Sequence, residues 1–224
     1  MSPHLYLSFP ITDDILRHFE SPPRYQYLQC LNNTAITGGE SYFVDSFHVV
    51  DILRKSHPEA YKILCTEPML FEYKNGGQHT RWNRPTVELA ALELGHDEAD
   101  RATWAVNYSP PFQGPLNYVS SPSHLSQQTE RLHALHAALK LFASLCDSPE
   151  MHYRVQMQPG DCVVFDNRRV LHARTSFEFN DDEPKEGEER GRWLKGAYMD
   201  GDEVWSQWRV GEALRLKALE HGEK

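Results

Sequence analysis

A double-sheet jelly roll, mainly β with inserted helices, is the fold class this sequence predicts, and three observations carry the expectation. Short aromatic and β-branched runs alternate with Pro-, Gly- and Asn-bearing turns along most of the chain. Long segments of helical period are few, the clearest lying at 126–146. The strands do not alternate regularly with helices, which argues for antiparallel pairing over a parallel α/β sheet.

Taken in order, residues 25–31 form an alternating aromatic stretch after Pro22-Pro23 and read as a strand leaving a turn. Thr37-Gly38-Gly39 reads as a tight connection and 41–44 as the next strand. Ser46 is placed to cap a helix carrying Val49, Val50 and Leu53, and Pro58 to open a second one carrying Ala60, Ile63 and Leu64. Residues 68–73 and 103–108 read as strands. Leu132, Leu135, Leu139, Phe142 and Leu145 recur at three- and four-residue steps, the mark of a helix with one apolar face. His133 and His136 share that helix, without a third ligand, and are expected on its solvated face. Pro159-Gly160-Asp161 turns the chain into an apolar strand at 162–165, and 192–198 supplies one more. Trp205 and Trp208, three apart, are expected to pack a terminal helix or edge.

With 224 residues, 40% of them hydrophobic, the chain is read as one domain, 1–224, with a core large enough to need no disulfide or metal staple. The 23 Lys and Arg against 32 Asp and Glu give a net charge of −9, which argues against nucleic acid or an anionic membrane as partner. Cys30, Cys65, Cys146 and Cys162 form no C-x-x-C pair and read as reduced, mostly packed thiols. The absence of a basic n-region near Met1, and of any apolar run long enough to span a bilayer, makes the cytoplasm the expected compartment, with the mitochondrion as the alternative. A homodimer is left open.

The chemistry concentrates in 158–174, Gln-Pro-Gly-Asp-Cys-Val-Val-Phe-Asp-Asn-Arg-Arg-Val-Leu-His-Ala-Arg, followed after a gap by Arg192-Trp-Leu-Lys-Gly-Ala-Tyr198. A histidine on one strand and an arginine on the next can face one barrel interior. Neutral imidazole binds a metal, and the guanidinium fork holds a carboxylate by two parallel hydrogen bonds.

These runs, with residues 20–31 and Thr37-Gly-Gly-Glu-Ser41 upstream, resemble the TauD-type iron(II)- and 2-oxoglutarate-dependent dioxygenases, more narrowly the gamma-butyrobetaine and trimethyllysine hydroxylase branch. The resemblance covers about residues 14–210. It implies a double-stranded β-helix holding Fe(II) through His172 and Asp14, with 2-oxoglutarate as cosubstrate on Arg192 and Thr37. It further implies O₂ and a small betaine or trimethylated amino acid as substrates, as in carnitine synthesis. Tyr198 then stands as an aromatic wall for a trimethylammonium group, and Asn107 as a further substrate contact.

The sequence departs from the family pattern in three places. Thr12 stands where the first histidine of a His-x-Asp pair belongs, and Asp14, or Asp13, is left to supply the carboxylate. A hydroxyl is a far poorer ligand than imidazole for this metal. The second reading is therefore a catalytically impaired remnant, a binding protein on the same barrel. The gap between His172 and Arg192 is long and carries the acidic run 180–190, expected to be a solvated surface loop. The chain is also expected to lack amino-terminal elements that its relatives carry.

Overall fold

The computed structural model describes residues 22–34, 36–92, 101–115, 125–179 and 191–220. Asp14, Thr12 and the acidic run 180–190 lie outside these described residues.

Two three-stranded antiparallel sheets frame the site. The first has the order β12-β1-β9, built from β1 (Tyr25–Thr34), β9 (Cys162–Asp166) and β12 (Gly191–Met199). Its strands alternate as a sheet with one covered face should. Gln26 and Cys30 are buried while Gln29 and Leu31 are exposed. Phe165 is partly buried while Val164 is exposed, and Arg192, Leu194 and Tyr198 are partly buried while Trp193 and Lys195 are exposed.

The second sheet has the order β10-β3-β8, with β3 (Ser41–Asp45), β8 (Tyr153–Val155) and β10 (Val170–Arg174). Here alternation separates two jobs. Tyr42, Val44 and Leu171 are buried in the main hydrophobic core with Val49, Val50 and Leu53 of α1 (Ser46–Ser56), Leu64 of α2 (Pro58–Thr66), and Leu135, Ala138 and Phe142 of α3 (Leu125–Cys146). Their sequence neighbours Phe43 and His172 take the opposite face. The helices thus cover one face of this sheet and leave the other for the site.

The helix starts follow from local chemistry. Pro58 opens α2 as expected. The cap of α1 is Asp45, not Ser46: its carboxylate accepts from the Phe47 amide at 3.1 Å. Arg169 then pairs with the same carboxylate at 2.6 Å, and Ser46 sits inside the first turn with its hydroxyl donating to the Arg169 carbonyl. An aspartate one residue upstream is the better acceptor because it serves the amide and the guanidinium together.

The remaining strands pair two by two. β4 (Pro68–Asn75) and β5 (Gln78–Pro85) make a hairpin whose loop, Gly76-Gly77, has φ of 56° and 83°, the primed-turn geometry that glycine permits. β6 (Val87–Leu89) pairs with β7 (Thr103–Val106). The Thr37-Gly38-Gly39 segment is more than a connection, because β2 (Ile36–Gly38) pairs with β11 (Phe177–Phe179). Gly38 has φ of 82°, and a Cβ there would collide with the Ser176 carbonyl oxygen. Gly38→Ala should therefore cost about 2–3 kcal/mol, combining left-handed strain with a backbone clash. A lowered urea midpoint at unchanged slope would show it, and an unchanged midpoint would contradict it.

The terminal helix α4 (Gly201–Glu220) has no buried residue. It is tied to the first sheet by Trp205, whose indole N–H donates to the Tyr25 hydroxyl at 2.8 Å and whose ring meets Trp104 edge-on at 5.3 Å. Trp208, expected to pack with it, is 67% exposed. His133 and His136 are exposed on α3, as their spacing without a third ligand indicated. No helix among the described residues is long and apolar enough to cross a membrane.

Candidate active site

The space between the two sheets is reached by side chains from both. From β10, the His172 ring lies 4.9 Å from Phe165 of the opposite sheet and 6.4 Å from Phe43 beside it, while Phe43 and Phe165 meet edge-on at 5.4 Å. From β12 of the other sheet, the Arg192 guanidinium donates to the Ser41 hydroxyl at 3.4 Å. Ser41 and Phe43 share a face of β3, and Phe43 is the register partner of His172. His172 and Arg192 therefore enter one interior from opposite walls, with Ser41 and Phe43 between their points of attachment.

Burial sets the electrostatics. Desolvation drives the His172 pKa from 6.5 down to about 4, so the imidazole is neutral at pH 7, the form that ligates a metal. Arg192 has its pKa lowered by burial, with the Arg174 charge adding and Cys30 opposing; as a guanidinium it stays charged. Its Nε is buried without a hydrogen-bond partner among the described residues. A buried charged donor left in that condition is costly, and an acid group set against it would satisfy it. Arg174, two residues from His172 on the same strand, makes this end of the interior doubly cationic.

Thr37 lies on β2, exposed, opposite Glu178 of β11 and four residues before Ser41. Tyr198 lies on the same face of β12 as Arg192, and its hydroxyl accepts from the Gln26 amide at 2.9 Å. Gly196, between Leu194 and Tyr198 on that face, leaves the wall low in the middle. Asn107 stands apart from this group. It is 1% exposed, its amide nitrogen donates to the Pro85 carbonyl and Glu88 at 2.8 Å each, and its oxygen accepts from Arg168 at 2.7 Å. Asp14 is outside the described residues, among which no group of three or more His, Cys, Asp or Glu could hold a metal.

The sequence reading passed over Ser41, Gln26, Phe43 and Phe165. Gln26 was detectable, as a polar residue in phase with Leu28 and Cys30 on the covered face of a strand. The other three became visible only when the register of β3 and β9 was known.

The model of the taurine catabolism dioxygenase TauD, TfdA family matches residues 8–198. The chain belongs to the TauD/TfdA family. Among curated relatives of this family member, the dioxygenase str8 of Strobilurus tenacellus is 37% identical over 87% of the chain and 42% of its own length. The gamma-butyrobetaine dioxygenase of Homo sapiens is 32% identical over 91% of the chain and 46% of its own length, which agrees with the branch the motifs indicated. The TauD/TfdA chain thus spans less than half the length of these relatives. Among solved structures, an asparagine oxygenase in complex with Fe(II), 2S,3S-3-hydroxyasparagine and succinate superposes with a TM-score of 0.51 at 15% identity, over 88% of this chain and 49% of that one. The two share a fold, and the jelly roll expected from the sequence is the fold observed.

Proposed function

We propose that this TauD/TfdA chain serves an iron(II)- and 2-oxoglutarate-dependent dioxygenase that hydroxylates a small betaine or trimethylated amino acid. The observation that carries the reading is the convergence of His172 and Arg192 on one interior from opposite sheets. His172, neutral and walled by Phe43 and Phe165, and Asp14 would hold the metal. The Nε of Arg192, without a hydrogen-bond partner among the described residues, suits the far carboxylate of 2-oxoglutarate, and the Thr37 hydroxyl would be the second contact. Tyr198 would present its ring to the substrate's quaternary ammonium, held in place by Gln26.

Bound Fe(II) with 2-oxoglutarate supplies O₂ activation coupled to loss of CO₂ and formation of succinate, with oxygen transfer to an unactivated C–H bond. The protein's share is orientation and exclusion of water. Arg192 fixes one end of the cosubstrate by charge and fork geometry. Phe43 and Phe165 keep the imidazole dry and in one orientation. Support for the substrate class comes from the relatives, one of them named gamma-butyrobetaine dioxygenase.

The second reading, a binding protein on the same barrel, rests on Thr12 in the place of a first histidine ligand. Protein purified without oxygen and supplied with Fe(II), 2-oxoglutarate and gamma-butyrobetaine separates the two. The enzyme reading expects bound iron and succinate formed in step with hydroxylated product. Iron-free protein that forms no succinate favours the binding protein.

A further inference from the structure

We propose that the cavity walled by Arg24, Arg84 and Arg168, at the Tyr198 end of the sheet sandwich, seats the acid group of a zwitterionic substrate. It would take a carboxylate or sulfonate that carries a cationic group, and exclude phosphorylated ligands. The inference rests on the dioxygenase reading and deepens it.

The cavity measures about 380 Å³ and lies where the start of β1, the β9–β10 turn, the β6–β7 pair and the first turn of α4 meet. This is the end of β12 opposite to Arg192. Arg168 stands four residues before His172, at most about 14 Å along the chain, and His172 itself is not among the residues that line the cavity.

Arg168 is the most deeply buried of the three arginines. It is 6% exposed, and one terminal nitrogen donates to Asn107 Oδ1 at 2.7 Å and lies 3.7 Å from Glu88. Its Nε and its other terminal nitrogen make no hydrogen bond among the described residues. Glu88 is shared: Arg84 pairs with it at 3.3 Å, and Asn107 donates to it at 2.8 Å. A guanidinium that lines a cavity, is largely withdrawn from bulk water and holds part of one carboxylate has donors to offer an anion that completes it. Burial, with repulsion from Arg84 and Arg24, lowers the Arg168 pKa to about 10, still charged at pH 7.

Arg24 is held rigidly, paired with Asp166 at 2.8 Å and lying over the Trp104 and Trp205 rings at 4.5 and 5.1 Å. The position of Asn107 now has a use: its amide orients Arg168 and Glu88, making it a positioning residue behind the cavity.

The other side of the cavity is acidic. Asp200, Asp202 and Glu203 line it and make no ion pair with the three arginines among the described residues. Three carboxylates there repel a phosphate dianion but attract a cation tethered to the buried acid group. The ligand that satisfies both sides carries one negative and one positive charge.

Trp104 is 42% exposed and lines the cavity, so its emission reports occupancy. The full chain is titrated with gamma-butyrobetaine, with the alcohol that replaces its carboxylate by a hydroxymethyl group, and with inorganic phosphate. Binding is followed by tryptophan emission and by calorimetry. The acid should bind at least about tenfold tighter than the alcohol, and phosphate should not compete. Arg168→Gln should erase that preference. Trp104→Phe should diminish the emission change while calorimetric binding persists, which locates the ligand and does not depend on Arg168→Gln folding.

Equal binding of acid and alcohol by the unaltered chain overturns the proposal, as does competition by phosphate. An emission change with 2-oxoglutarate alone that survives Arg192→Gln also overturns it, because the cavity would then take the cosubstrate. If the unaltered chain fails to bind 2-oxoglutarate yet keeps the acid preference, the dioxygenase reading fails and the acid site stands.

Discussion

Arg192→Gln is expected to weaken 2-oxoglutarate binding by about 30- to 1,000-fold, a loss of roughly 2–4 kcal/mol, while leaving the fold intact. The two halves of that expectation have one cause. Arg192 makes one long hydrogen bond to Ser41, at 3.4 Å, and its buried Nε has no partner among the described residues. Such a group contributes little to holding the sheets together, so its removal relieves desolvation and should leave the thermal midpoint unchanged or raised. It has donors in reserve for an acid, so its removal should be felt by the cosubstrate. Arg192→Lys keeps the charge and loses the fork, and should fall between the two. Calorimetric titration of the metal-loaded chain with 2-oxoglutarate reads all three. Equal affinity in the unaltered chain and in Arg192→Gln would remove this residue from the site.

Arg168 is buried and Arg192 partly buried, each with donors to spare, but they stand at opposite ends of β12 and in different surroundings. Arg192 shares its end with Arg174 and, under the proposed function, would take one end of a ligand whose other end meets the metal. Arg168 shares its cavity with Glu88 and an acidic wall, and suits a ligand that carries its own countercharge. Under the two proposals, acid-binding positions of such different character would hold a dicarboxylate cosubstrate and a zwitterionic substrate without exchanging them.

Much of this was legible in the residues, for identifiable reasons. β1 alternates over 25–31, a period visible before any contact is known, while β3, β9 and β12 were legible as short aromatic or apolar runs whose covered face only the pairing reveals. The core face of α3 was given by Leu135 and Phe142, which are both buried; Leu132, placed with them, stays exposed. The strands missed were β2, β6, β8 and β11, of three residues each, too short to show a period, and β5, whose polar sequence carries none. Helix α4 was only glimpsed, as the spacing of Trp205 and Trp208, because it presents no continuous apolar stripe. The arginine cavity was invisible for a different reason. Arg24, Arg84, Glu88 and Arg168 are scattered along the chain, and each alone reads as a surface ion-pair former. Tertiary pairing converts them into one buried cluster.

His172 supplies the other large expected effect. His172→Ala should lower Fe(II) affinity at least about 100-fold, since even the loss of a group behind a metal ligand costs about 10–100-fold. Metal content after anaerobic reconstitution measures it, and iron retained at full stoichiometry would exclude the imidazole as a ligand. The same burial that readies the ring for a metal makes it a liability in the metal-free chain, and the sign follows from linkage. Its pKa is about 4 folded against 6.5 for the exposed group, so the unfolded chain binds the proton better. Stability is therefore unaffected by this group above pH 6.5, falls as the pH drops from 6.5, and levels off below about pH 4. At 1.36 kcal/mol per pKa unit, the loss is about 3 kcal/mol. Urea midpoints of the metal-free protein at pH 7 and pH 5 should diverge, and the divergence should shrink in His172→Gln, which keeps a polar side chain of similar reach but cannot take up the proton. An equal divergence in both proteins would assign the acid sensitivity elsewhere and remove the case that His172 is buried in its neutral form.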